Sequence, residues 1–161
     1  SGRVLDSTPA AFDPAVHIAL VGGERALWLS SDTTPLLKID PATARVIASV
    51  DAGGGIPMAI AHGVVWGASP RHVWAVDPVS NEVRLRLPLD NTIETLSLAV
   101  AGDALWVGAR RPGSVGVVLR YDLVSRRLTG EAAVSLPARV LHAFDRVWVV
   151  DWDTNTLLRF D

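Results

Sequence analysis

Cysteine is absent from the 161 residues of this chain. Disulfides, thiolate metal sites and cysteine nucleophiles are therefore excluded, while the compartment stays open, since a thiol-free protein suits either side of a membrane. Lysine is almost absent as well: Lys38 stands alone among arginines, and the net charge is −2. Without a basic surplus there is no electrostatic footprint for nucleic acid or for an anionic membrane surface. No apolar run approaches the roughly twenty residues that a bilayer-spanning helix needs. Helical periodicity is missing too. No segment sustains a repeat of about 3.6 residues, and valine, tryptophan, glycine and proline recur too often for helix. The chain opens on Ser1-Gly2-Arg3, with neither an initiator methionine nor a signal peptide, which reads as a processed, trimmed or excised terminus.

What is present is a globular composition, 49 % apolar and 20 % charged, in a chain the size of one domain. Internal repetition dominates it. Four of the six tryptophans share one setting: Ala26-Leu27-Trp28-Leu29, Val64-Val65-Trp66-Gly67, Ala104-Leu105-Trp106-Val107 and Arg146-Val147-Trp148-Val149. Their spacings are 38, 40 and 42 residues. A second anchor follows each, at Leu37-Lys38-Ile39-Asp40, Trp74-Ala75-Val76-Asp77, Leu119-Arg120-Tyr121-Asp122 and Leu158-Arg159-Phe160-Asp161. A third comes six residues after the first three aspartates, at Val46, Val83 and Leu128.

Between these anchors lie short β-rich runs separated by turn residues. In the first unit, strands are expected around 16–21, 26–30, 36–39 and 45–50. The turn Asp40-Pro41-Ala42-Thr43 has suitable chemistry, because aspartate can bond its own backbone and proline presets φ. The second and third runs are apolar almost throughout, as in strands buried on both faces. Four short strands per unit of about forty residues is the arithmetic of a propeller blade.

The last unit ends with three strands, and Gly2-Arg3-Val4-Leu5-Asp6-Ser7 resembles the fourth-strand segment Ala44-Arg45-Val46-Ile47-Ala48-Ser49. Val4 precedes Pro14 by ten residues, much as Val46 precedes Pro57 by eleven. The expected fold is thus all-β, a single-domain β-propeller of four four-stranded blades. The blades span about 14–50, 57–87, 95–134 and 137–161 plus 1–8, with the N-terminal strand closing the last blade.

Pro57-Met58-Ala59-Ile60-Ala61-His62-Gly63-Val64-Val65-Trp66, followed by Val73-Trp74-Ala75-Val76-Asp77-Pro78, resembles the repeat of bacterial propellers of the YVTN, NHL-like and virginiamycin-B-lyase-like families. The resemblance covers essentially the whole chain. It is specific for architecture and weak for function, because the matching residues are those that make blades. Members of these families close with six to eight blades, so four is a departure. Three assemblies fit: a true four-bladed monomer, the favoured reading; two chains joined into an eight-bladed ring; or a piece of a longer propeller. The setting leans toward bacterial and extracytoplasmic.

The repeat-equivalent tryptophans read as wedges between blades, and Trp74 as core. Asp40, Asp77, Asp122 and Asp161 read as backbone caps rather than metal ligands. Trp152 stands apart, in or beside the turn between second and third strands of the last unit. By the resemblance, those turns share a face with the links between blades, commonly the binding face. It would also carry Asp32, Arg71, His72, Arg110, Arg111, Asp151 and Asp153. The stretch Ala109 to Gly116 exceeds what a hairpin requires, and its paired arginines suit an anionic or carboxylate-bearing partner, with a solvated loop as the plainer reading. Gly53-Gly54-Gly55 permits close backbone approach or mobility, and no helix follows to make it a phosphate loop.

First strands line the channel of a propeller, so His17, Arg139 and His142 are candidates for a small axial cavity, as is His62. No catalytic motif is found, and no cofactor is implied by one. The lyase relatives are expected to use a histidine, nearby glutamates and magnesium. Here Glu24, Glu82, Glu94 and Glu131 lie near no histidine in a matching motif. Two functions remain: a non-catalytic module presenting loops to a protein, peptide or glycan, or a lyase-like or cofactor-binding enzyme with a site at the axis.

Overall fold

The structure is a computed structural model that describes residues 17–90, 92–113 and 115–161. The expected closing strand at Arg3 to Ser7 and the link at Ala10 to Asp13 lie outside the described residues. Fifteen strands and no helix are found among the described residues. The first sheet holds β1 (Ile18–Gly23), β2 (Ala26–Ser31), β3 (Leu36–Ile39) and β4 (Val46–Val50). The second holds β5 (Met58–Ala61), β6 (Val64–Ala68), β7 (His72–Val76) and β8 (Val83–Pro88). The third holds β9 (Glu94–Ala101), β10 (Ala104–Arg111), β11 (Val115–Asp122) and β12 (Arg127–Ala133). The last holds β13 (Pro137–Ala143), β14 (Arg146–Asp151) and β15 (Thr156–Phe160). Every sheet is an antiparallel meander with strands in chain order, and the molecule is a four-bladed β-propeller.

The tryptophan spacing becomes three-dimensional as wedges at the three seams between consecutive blades. Trp28, Ala26 and Leu36 pack on Val65, Trp74 and Val76 of the second blade. Trp66 and Ala68 pack on Leu105, Val107 and Leu119 of the third. Trp106, Ala104 and Val118 pack on Val147 and Val149 of the fourth, with Phe160 tilted against the Trp106 ring at 5.7 Å. A buried aromatic removes a large apolar area from water, so these three seams hold most of the core.

Polar contacts fix the same seams. Lys38 lies over the Trp28 ring, and its Nζ donates to the Pro78 carbonyl of the second blade at 2.6 Å. Trp74 Nε1 donates to the Gly54 carbonyl at 2.7 Å. The glycine run makes a close backbone approach: a Cβ on Gly55, whose φ is +125°, would lie 2.2 Å from the Ala68 carbonyl oxygen. Three of the repeat aspartates cap their own turns. Asp40 accepts from Ala42 N, Asp77 from Val79 N and Ser80 N, and Asp122 from Ser125 N. Those hydrogen bonds hold the Asp40 and Asp122 carboxyls below the usual aspartate range, first through the Thr43 and Ser125 hydroxyls.

Candidate functional site

The turns between second and third strands share one end of the sheets with the links that carry the chain from blade to blade. Their shape depends on the residue three places after each repeat tryptophan: Ser31, Ser69, Ala109 or Asp151. Ser31 Oγ accepts from Thr33 N and Thr34 N, and Ser69 Oγ from Arg71 N and His72 N, so both turns are short and tied down. Ala109 cannot cap. There the hairpin runs on, pairing Arg110 with Gly116 and Arg111 with Val115.

This corrects the expectation of a long loop at Ala109 to Gly116. Both arginines lie on β10 and each has a glutamate partner in the same sheet, one on the adjacent β9 and one beyond β11 on β12. Arg110 Nε donates to Glu94 Oε2 at 3.0 Å across β9. Arg111 Nη2 donates to Glu131 Oε2 at 2.8 Å on β12, which holds the Glu131 carboxyl below its usual range. The charges are mutually answered rather than offered to an anion. In the sequence Glu94 and Glu131 stand out only as glutamates far from any histidine; their arginine partners are 16 and 20 residues away, the first directly across β9–β10 and the second reached past β11.

Asp151, expected as an exposed acid, is 3 % exposed. Burial alone would raise its pKa, but hydrogen bonds outweigh it: Leu136 N at 3.0 Å, Ser135 N at 2.8 Å and Thr154 hold the carboxyl below its usual range. It fastens the last turn to the preceding link. The turn is further tied by Trp152 N donating to the Leu136 carbonyl at 2.9 Å. Trp152 itself is 71 % exposed on this anchored turn, and Asp153 beside it is exposed.

His72 points into a seam. Its Nδ1 lies 3.0 Å from Ser69 Oγ and its Nε2 2.8 Å from Arg86 Nη1, with Ala52 O at 3.3 Å. Nδ1 thus faces the Ser69 hydroxyl, while Nε2 faces the Arg86 guanidinium, a group that only donates. A serine and a histidine at this distance suggest a nucleophile and its base. Yet Ser69 Oγ is occupied as a turn cap, and the histidine's second nitrogen meets a cation where a triad has a carboxylate. Arg71 is exposed on the same turn.

Two concavities follow the axis. A cleft of about 510 Å³ at the loop end is lined by His17, Asp32, Pro57, Pro70, Ile93 and Glu94. His17 precedes β1 rather than lying within it, and its Nδ1 is 3.2 Å from Asp32 Oδ2. A groove of about 580 Å³ runs along the first strands, where Arg139 and His142 of β13 face it with Met58 and Ile60 of β5. His62 lies at its edge, just past β5. So the structure brings His17, Asp32 and Glu94 to one cleft and Arg139 with His142 to another, while His72 and Asp151 serve the scaffold. No group of three or more histidine, aspartate or glutamate side chains able to hold a metal is found among the described residues. The described residues therefore do not fit the magnesium arrangement implied by the lyase resemblance, and no lyase step is derived.

No family model matches the chain. No curated protein matches it either. Solved structures do. The computationally designed Ika4 protein superposes with a TM-score of 0.77 at 14 % identity, covering 99 % of this chain and 98 % of that one. The extracellular domain of BT4673 from B. thetaiotaomicron gives a TM-score of 0.63 at 14 % identity over 81 % of this chain and 18 % of that one. BamB from Moraxella catarrhalis gives 0.58 at 11 % identity over 87 % and 41 %. At such identities the likeness is one of fold.

Proposed function

We propose that this chain is a non-catalytic binding module that presents its loop end to a protein, peptide or glycan. The observation that carries this reading is Trp152, an indole 71 % exposed on a turn whose backbone is held by Leu136 and whose base is fixed by the buried Asp151. A large amphipathic side chain on a rigid support loses little freedom on binding, which is the character of an interface anchor. A separate cleft at the same end, lined by Asp32 and Glu94 of the first and third blades, adds hydrogen-bond acceptors. The serine–histidine pair bound into a turn and a seam supports a binding role over a catalytic one.

Peptide and glycan arrays probed with the wild-type protein and with Trp152→Ala test the reading. Ligands captured by the wild type should lose about tenfold or more in affinity, since a truncated interface tryptophan commonly costs over 1 kcal/mol. Ligands that bind both proteins equally would move the site away from this face. Arg110→Ala and Arg111→Ala serve as comparison and should weaken binding less, because both guanidinium groups already have carboxylate partners.

A further inference from the structure

Each blade has a giving face, with its repeat tryptophan, and a receiving face. The second blade receives Trp28 on Val65, Trp74 and Val76, all fully buried. The third receives Trp66 on Leu105, Val107 and Leu119, and the fourth receives Trp106 on Val147 and Val149. One giving face and one receiving face remain. Trp148 is only half-buried, and its registered neighbour Leu141 is 54 % exposed. On the same face, Val150 and its partner Leu157 are 39 % and 63 % exposed.

The receiving face of the first blade is Leu27, Leu29, Leu37 and Ile39, equivalent by register to Val65, Gly67, Trp74 and Val76. Leu27, Leu37 and Ile39 are only half-buried, and Leu20 and Ile18 beside them are 60 % and 58 % exposed. Among the described residues, no buried apolar cluster joins the fourth blade to the first, and β13 does not pack on β1 as β5 packs on β1 or β9 on β5. One chain thus carries both halves of a seam, built by the rules of the other three and left apart.

We propose that these two faces are a docking surface for a second copy of this chain. Trp148 and Leu141 of each protomer pack on Leu20, Leu27 and Leu37 of its partner, so that two chains close a ring of eight blades through two identical head-to-tail seams. A second copy is the occupant because it alone is known to present both complements, and apolar faces so exposed gain free energy by burial. Two chains suffice, since eight blades is the upper end of the usual range and a third chain would exceed it. Polar groups agree. Lys38, packed over Trp28, donates to the Pro78 carbonyl of the next blade, and Arg120 lies over Trp106. Arg159 is their equivalent, opposite Trp148 and exposed, and it would reach the partner's Pro41 carbonyl in the same way.

Light scattering after gel filtration reads the outcome. The wild type should elute at twice the chain mass of 17.2 kDa. Leu20→Asp and Leu141→Asp should each run at the monomer mass with an unchanged β-sheet circular dichroism spectrum; both positions are more than half exposed, so folding does not depend on them. Mixed in equal amounts, the two variants should regain a dimer. One of its seams then joins an intact fourth blade to an intact first blade, while the other carries both charges. Arg159→Glu, a milder change at an exposed position, should weaken the dimer about tenfold. A wild-type monomer would overturn the proposal, as would a dimer indifferent to Leu20→Asp or variants that fail to rescue each other.

Discussion

At the scale of single residues, position three after each repeat tryptophan decides the shape of the loop end. Serine there gives a short capped turn, alanine releases a longer hairpin, and aspartate reaches across to the preceding link. Asp151→Asn should lower stability by about 1–3 kcal/mol, because Ser135 N and Leu136 N donate to different carboxylate oxygens and asparagine turns one of these into an NH2 donor facing an N–H. Thermal unfolding at neutral pH checks this. The pH dependence has a definite sign. The folded carboxyl sits below the unfolded aspartate value of about 3.9, so its stabilisation is complete above that pH and is lost as pH falls through the folded value. The wild type should therefore lose more stability than Asp151→Asn between about pH 5 and pH 2.

At the scale of elements, the blades are joined by specific hydrogen bonds as well as by wedges. Val140 N, on the edge strand β13, donates to Ser97 Oγ of β9 at 2.9 Å in a buried setting. Ser97→Ala leaves that N–H unpaired and should cost about 1–3 kcal/mol, a drop in melting temperature of about 2–4 °C per kcal/mol for a domain of this size. The strands were legible from sequence because tryptophan, apolar and aspartate anchors recur in register, and the Asp-Pro turns advertise their own chemistry. The loop end was less legible. Arg110 and Arg111 look like loop charges until the sheet sets Glu94 and Glu131 beside them. Asp151 looks like a surface acid, because its partners are backbone groups of Ser135 and Leu136, which carry no side-chain signature. His72 was misplaced because its partners are distant in sequence: Ala52 O comes from the link before its blade and the Arg86 side chain from the strand after it.

At the scale of the whole molecule, pairing two chains around one axis would put both copies of Trp152 on the same side of the ring. A repeated or extended ligand could then engage twice, gaining avidity without a new contact. Association also ties folding to concentration. The apparent melting temperature of the wild type should climb as the protein is concentrated, while that of Leu20→Asp stays flat. The tryptophan wedges carry a geometric duty besides their burial. Each fixes the angle through which one blade turns to meet the next, and that angle, summed around the axis, determines how many blades return to the start. Thinning a wedge at Trp28, Trp66 or Trp106 would change the pitch as well as the packing. A head-to-tail surface whose pitch no longer closes grows without end, so the same indoles that stack the blades stand between a finite ring and a fibre.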